Sequence, residues 1–358
     1  MIRKASLTVI LLVGVIWVAA TFIFNLWTKT KSVDKATDGL RPAFTNSGIA
    51  QEQKDVAAVQ GVVTELKTTT IPFLATQLKT TPAAVTALLA SKFPAVGTAL
   101  STNGPDGKPF ADGKLFVDHA AGYLDTVVKT IKAEQKDFDN ADTIVSKDIS
   151  TVGLAFLFLI LGIVVIVVGL LVATRPALTR PLGVLTVVVG IVVIVVTYVL
   201  KVPTKTQSVD SLTNAFRPVF AKSGPLSIDT GAKYLAGVRA ADKQIETEVV
   251  PALPALLGLP QAAVVAALQS SSPKVAAAFL GKDPTNPKVS VFAGIVDRFD
   301  AVAKKVVDGR KDFKNTDSIP GLGWPTTIVQ LLLVGPAILL ILAGAGLAVA
   351  GGRRQDGT

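Results

Sequence analysis

Four stretches of this chain carry no charged residue, and each is about as long as a bilayer is thick. They are Ser6–Trp27, Val152–Ala173, Leu182–Leu200 and Thr326–Ala350. In a helix, about 20 apolar residues cross roughly 30 Å of hydrocarbon. Half of the 358 residues are hydrophobic, the mean hydropathy is +0.52, and the excess is concentrated in these runs. Buried helices of soluble proteins rarely run this far without a charge. The spacing therefore predicts an all-α integral membrane protein with four transmembrane helices, at 6–27, 151–173, 182–200 and 326–350.

The start, Met1-Ile2-Arg3-Lys4, is that of a secretory signal peptide, and Val18-Ala19-Ala20 offers small residues for cleavage. The apolar run continues through Phe22-Ile23-Phe24 to Trp27, past the length of a signal core. An uncleaved anchor is expected, with Trp27 among the interfacial aromatics.

The remaining chain forms two polar segments, 28–150 and 201–325, and these match each other. Thr28-Lys29-Thr30-Lys31-Ser32-Val33-Asp34 reappears in the second segment as Thr204-Lys205-Thr206-Gln207-Ser208-Val209-Asp210. Leu40-Arg41-Pro42-Ala43-Phe44 matches Phe216-Arg217-Pro218-Val219-Phe220, and Ile71-Pro72 matches Val250-Pro251. Lys136-Asp137-Phe138-Asp139-Asn140-Ala141-Asp142-Thr143-Ile144 matches Lys311-Asp312-Phe313-Lys314-Asn315-Thr316-Asp317-Ser318-Ile319. Matches in order at nearly constant offset indicate a tandem duplication of a domain, not a solenoid.

Inside each segment the periodicity is helical. Val56, Val59, Val63 and Leu66 share one face, as do Phe116, Ala120, Leu124, Val127 and Ile131, and Phe292, Ile295, Phe299, Val302 and Val306. Thr81-Pro82 reads as an N-cap with a first-turn proline. Pro42 is expected to disfavour helix at Arg41, and Pro72 to interrupt the helix before it. Each segment is thus expected to be a helical domain.

The short basic segments Arg3/Lys4 (1–5), Arg175/Arg180 (174–181) and Arg353/Arg354 (351–358) fall on one side if every run crosses once. The positive-inside rule makes that side the cytoplasm. Both termini are then cytoplasmic, and the two homologous domains are extracytoplasmic, in the plasma membrane of a cell envelope. Residues 28–150 carry 14 basic and 14 acidic side chains and residues 201–325 carry 16 and 11. The excess is scattered, with no basic block interleaved with aromatics, so no nucleic-acid partner is expected.

The chain has no cysteine and one histidine, which removes disulfides and thiolate metal sites. No Asp, Glu, Lys, Arg or His lies within the four runs, where proton relays and coupled-ion sites need such groups. His119 has Asp112 and Asp125 within helical reach, short of a ligand set for a metal, and reads as a helix-surface residue. No phosphate loop, dinucleotide fingerprint or nucleophile elbow is present. No catalytic residue, cofactor or metal site is therefore expected.

The candidate motifs are the repeated ones. Asp137, Phe138, Asn140 and Asp142, with Asp312, Phe313, Asn315 and Asp317, precede membrane re-entry. They could form a cation or partner site, or simply a helix stop with a buried phenyl ring. Arg41 and Arg217 follow membrane exit and could pair with those aspartates. Glycines spaced along the runs (Gly162 and Gly169, Gly183 and Gly190) allow close helix approach, within the bundle or to a second copy.

An extracytoplasmic helical domain held between two spans resembles the plan of bacterial chemoreceptor-type sensors. The cytoplasmic segments here are too short for a signalling module. The expected function is that of a non-catalytic envelope protein binding a membrane-protein partner, lipid or envelope polymer, with homo-oligomers possible. The alternatives are an accessory subunit of an export or lipid-transfer complex and, third, an envelope enzyme using dispersed carboxylates.

Overall fold

The computed structural model describes residues 1–142, 152–317 and 324–355. Thr151 and the Thr143-Ile144 and Ser318-Ile319 ends of the repeated stretches lie outside the described residues, as do residues 356–358. Helix dominates, and no strand occurs among the described residues. Two isolated bridges, Asn103 with Pro109 and Lys282 with Ser290, close loops.

The elements in order are α1 (Ile2–Ile23), α2 (Leu26–Phe44), α3 (Asn46–Glu65), α4 (Ile71–Gln77), α5 (Pro82–Lys92), α6 (Pro94–Ala99), α7 (Phe116–Ala133), α8 (Gln135–Asp142) and α9 (Val152–Thr174). There follow α10 (Thr179–Val199), α11 (Val202–Phe220), α12 (Ile228–Gln244), α13 (Val250–Leu257), α14 (Gln261–Ser271), α15 (Pro273–Leu280), α16 (Val291–Asp308), α17 (Arg310–Asp317) and α18 (Ile328–Gln355). They divide into two compact units. One holds Met1–Gly39, Glu134–Arg217 and Gly309–Thr358; the other holds Leu40–Ala133 and Pro218–Asp308.

In the first unit, α1, α9, α10 and α18 are long and apolar enough to span a membrane, consistent with a multi-pass membrane protein. The bent pair Ile228–Leu257 and Gln261–Ser271, at 104°, reaches that length and hydropathy only when taken together. The four helices pack as α1 on α9, α10 on α18, and α1 on α18. Small residues bring the backbones together. A methyl group added at Gly14 would lie 3.0 Å from Gly162 O, and one at Gly183 would lie 2.8 Å from Gly344 O. These glycines thus serve packing within the chain's own bundle. Trp17 is fully enclosed and donates from Nε1 to Leu332 O at 2.8 Å, which satisfies its one polar atom. Thr21, Thr186 and Thr197 return their hydroxyls to the carbonyl four residues back. Outward-facing residues such as Leu12, Ile160, Val192 and Leu342 are apolar and exposed, as on a lipid-facing surface.

The chain turns out of α1 and α10 in the same way. Asn25 and Lys201, at matching places after these two helices, both take the left-handed conformation, with φ of +46° and +51°. Lysine rarely adopts it, so the turn is imposed by the flanking helices.

Two proline expectations are corrected. Helix α2 runs through Arg41 and Pro42 to Phe44, and α11 through Arg217 and Pro218 to Phe220. So close to a helix end the lost backbone bond is a small penalty. Pro72 does not end its helix either. A π-helical turn, Leu66–Thr70, leads from α3 into α4, with Pro72 in the first turn of α4. Ile245–Val249 and Pro251 repeat the device between α12 and α13. The wider turn absorbs the position where proline lacks its N–H.

In the second unit, residues from both polar segments share one core. Ile71, Val85, Leu89, Phe93 and Val96 pack in one cluster with Val249, Leu253, Val264, Leu268 and Ala276. The contact is reciprocal. Glu65 Oε2, at the end of α3, accepts from Val275 N at 2.7 Å in the first turn of α15. Gln244 Oε1, at the end of α12, accepts from Ala95 N and Val96 N at 2.9 and 3.2 Å in the first turn of α6. Each segment's long helix thereby satisfies amides at a helix start of the other.

Candidate functional site

The repeated motifs of the first unit meet around a cavity. Helices α2 and α11 begin where α1 and α10 end, and they line it with four matched pairs. These are Leu26 and Val202, Lys29 and Lys205, Thr30 and Thr206, and Val33 and Val209, all in one register between the two helices. Ala141 of α8, with Thr326 and Val329 at the start of α18, completes a wall enclosing about 70 Å³. Thr30 and Thr206 back-bond to Leu26 O and Val202 O, so their hydroxyls are used within their own helices.

The two lysines are the charged members of this wall. Lys29, only 3% exposed, donates from Nζ to Thr316 O at 2.7 Å. Half-buried Lys205 donates to Asn140 O at 2.7 Å. Burial pulls Lys29 down to about 8, against the attraction of the Asp210 and Asp317 carboxylates. Lys205 is lowered too, by burial and then by the Lys201 charge, with Asp142 opposing.

Around them, the aspartate and asparagine of each motif grip a serine. Ser208 Oγ donates to Asp137 Oδ1 at 2.7 Å and accepts from Asn140 Nδ2 at 3.3 Å. Ser32 Oγ donates to Asp312 Oδ1 at 2.9 Å and accepts from Asn315 Nδ2 at 3.2 Å. Asp210 receives the amides of Thr326 and Thr327 at 2.7 and 3.1 Å, just ahead of α18. Arg217 pairs with Asp317 through Nε at 3.2 Å and Nη2 at 2.7 Å, on an exposed face where such a pair contributes little. Phe138 is buried and Phe313 half-buried. Asp142 ends α8. Arg41 lies exposed in the last turn of α2.

Arg175 and Arg180 are exposed on either side of the 3₁₀ turn Pro176–Leu178, and Arg353 and Arg354 belong to the end of α18. Sequence reasoning did not single out Lys29, Lys205, Ser32, Ser208 or Asp210. All five lie inside the matching Thr28–Asp34 and Thr204–Asp210 stretches, which were the available signal.

The second unit holds a separate set of charged groups. Arg298 reaches Asp55 through Nε at 2.7 Å and Asp283 through Nη1 at 2.8 Å. Asp283 is fully enclosed. Burial opposes its charge, but the Thr285 hydroxyl, Arg298 and the amides of Thr285 and Asn286 hold it at about 2. Glu52 is pushed up to about 7 by burial and by Asp55, and its Oε2 has no hydrogen-bond partner among the described residues. Asp242 also rises to about 7, through burial and then Glu246 and Asp297, against Arg239. Its Oδ1 is likewise without a partner among them. His119 stacks on Phe110 at 3.7 Å and meets Asp112 Oδ1 at 3.0 Å, while Asp125 pairs with Lys129 instead. Among the described residues no three His, Cys, Asp or Glu side chains are placed to hold a metal ion.

A scan against protein-family models finds no match to the chain, and a search of curated proteins finds no similar sequence.

Proposed function

We propose that this is a non-catalytic cell-envelope membrane protein made by tandem duplication, whose polar helical segments lie outside the cytoplasmic membrane and bind or scaffold a partner. The observation that carries the reading is the reciprocity of the contacts. Ser32 with Asp312 and Asn315 mirrors Ser208 with Asp137 and Asn140, and the matched lysines Lys29 and Lys205 each donate to a carbonyl of the other half's motif, one position apart, at Thr316 and Asn140. Side chains at matched positions hold the two halves to each other, as a paired scaffold requires.

The orientation rests on the basic segments. Arg3 donates to Val172 O at 2.7 Å, and a methyl group at Gly351 would lie 2.8 Å from Arg180 N. These contacts keep the three basic segments at one end of the four-helix bundle, which supports a common cytoplasmic side. The chain has no native cysteine to interfere with single-cysteine labelling. A membrane-impermeant maleimide applied to intact cells should label Ser101→Cys and Lys282→Cys and spare Ala177→Cys. The opposite pattern would sink the orientation. Purification in mild detergent should recover a stoichiometric envelope or membrane-protein partner. Recovery with a transport ATPase would instead favour an accessory subunit of an export complex.

A further inference from the structure

The cavity between α2 and α11 is lined almost wholly by hydrocarbon. Leu26, Val33, Val202, Val209, Ala141 and Val329 supply apolar side chains. The matched polar residues of the wall direct their polar atoms elsewhere. Lys29 and Lys205 place their ammonium groups on Thr316 O and Asn140 O, outside the lining, so each lysine gives the wall its methylene stem. Thr30 and Thr206 return their hydroxyls to Leu26 O and Val202 O, which leaves their methyl groups for the wall. No aromatic ring is among the lining residues.

These walls select the occupant. A buried water needs several polar partners, and a hydrocarbon lining offers it none. A void leaves the atoms around it without contacts on one side, and apolar matter restores them. An engineered apolar cavity of about 150 Å³ stays dry and takes up benzene, so about 70 Å³ suits a chain of a few carbons. With no ring to stack on and no polar group to answer a headgroup, the fitting ligand is an aliphatic chain whose polar end stays outside. The position supplies the source. Helices α2 and α11 start directly after two membrane-spanning helices end, and Thr326 and Val329 stand where a third begins. The cavity therefore lies at the edge of the bilayer, where lipid chains are the abundant aliphatic matter.

We propose that this cavity holds the aliphatic chain of a membrane lipid, its carbons against Val33, Val209 and Val329 and its headgroup outside. The chain fills the space between matched residues of α2 and α11, so the two copies of the repeat pack against each other through a lipid. Recognition is of the chain and not of headgroup charge. This rests on the membrane-spanning reading above and names a lipid as one partner. It stands apart from the protein partner sought by co-purification.

The test uses the full chain reconstituted in phosphatidylcholine vesicles doped with phosphatidylcholine that carries a diazirine on one acyl chain. Labelled residues are mapped by mass spectrometry after irradiation. Label should appear on Val33, Val209 and Val329, which are too enclosed to meet bulk lipid. It should also appear on the outward-facing Leu12 and Val192. Val209→Phe and Ala141→Leu fill the cavity from different helices. Each should remove the label from the remaining lining residues and keep it on Leu12 and Val192, which also reports that the bundle has folded. Phosphatidylglycerol with the same diazirine chain should label the lining equally. An unlabelled lining in the unmodified chain overturns the proposal. So does lining label that survives in either folded filling variant, or label that requires the anionic headgroup. Absence of label from Leu12 and Val192 of the unmodified chain would overturn the membrane-spanning reading and this proposal with it, whereas failure at the lining alone leaves that reading standing.

Discussion

Tyr123 and Arg298 stand at matching places on α7 and α16, and Asp55 and Tyr234 at matching places on α3 and α12. One seam is aromatic. Tyr123 and Tyr234 lie 6.1 Å apart by ring centroid, and Phe116 meets Tyr234 edge-on at 5.2 Å. The other is ionic, with Arg298 gripping Asp55 at 2.7 Å and Asp283 at 2.8 Å. The same arrangement of helices therefore accepts two chemistries. Packing requires that volume be filled and polar atoms be satisfied, and it is indifferent to how. The two solutions differ in fragility. An aromatic seam loses area in proportion to what is removed. An ionic seam fails sharply, because one missing partner strands a buried charge.

Arg298→Ala tests the fragile side and should have the largest effect. It leaves Asp283 enclosed with one hydrogen-bonding partner fewer and Asp55 without its cation. A loss of about 3 kcal/mol is expected, at the lower end for buried pairs because the guanidinium is partly exposed. Chemical unfolding in detergent measures it. A loss below that of an ordinary surface substitution would show that water already screens the cluster.

Gly231→Ala tests the aromatic side. The Tyr123 ring lies directly on Gly231, so an added methyl group must displace it. Overpacking of this kind costs about 1–3 kcal/mol. The penalty should fall when Tyr123 is also reduced to leucine, which a double-mutant cycle would reveal.

The contrast extends to Val63 and Asp242, again at matching places on α3 and α12 and both buried. Asp242 is raised to about 7 by burial, then by Glu246 and Asp297, with Arg239 opposing. A raised carboxyl binds its proton more tightly in the folded state. Its penalty is absent well below the ordinary carboxylate range and grows as pH climbs from there through 7. The chain should thus be less stable at pH 8 than at pH 5. Asp242→Val should flatten that slope and add on the order of 1–2 kcal/mol at pH 8. A slope unchanged in Asp242→Val would falsify the assignment.

The caps should give smaller, unequal effects. Glu65→Ala and Gln244→Ala each free amides at a helix start, α15 and α6, at about 1 kcal/mol. Glu65 should weigh more, because a carboxylate also interacts with the helix dipole. Smallest of all, Tyr123→Phe should be neutral or slightly stabilising, since the buried Tyr123 hydroxyl has no partner among the described residues.

Much of this molecule is legible in its residues alone. The four apolar runs form helices long enough to cross a bilayer, and a helix satisfies the backbone polar groups of such a run within the run itself. Thr81 caps α5 by accepting from Ala84 N, as the Thr-Pro pair implies, and Phe116, Ala120, Leu124 and Ile131 are buried along α7 as their spacing implies, whereas Val127 of that face is half-buried and its neighbour Val128 is buried instead. The proline readings fail because sequence shows the missing donor and not where the helix ends or widens to a π turn. The candidate motifs are visible as repeats, but their serine and lysine counterparts lie far along the chain. Asp137 meets Ser208, and Asp312 meets Ser32.

By itself, then, the sequence determined what depends on composition and local spacing: helices, apolar spans, caps and the register of matching stretches. Tertiary structure alone decided which half supplies each partner. It put residues 40–133 and 218–308 into one unit, made one seam aromatic and its counterpart ionic, and left a cavity between α2 and α11 lined by matched residues of the two helices. The reason is physical. Helix formation responds to close neighbours along the chain, one turn away. Burial, hydrogen-bond satisfaction and charge pairing depend on groups that folding brings together from distant parts of it.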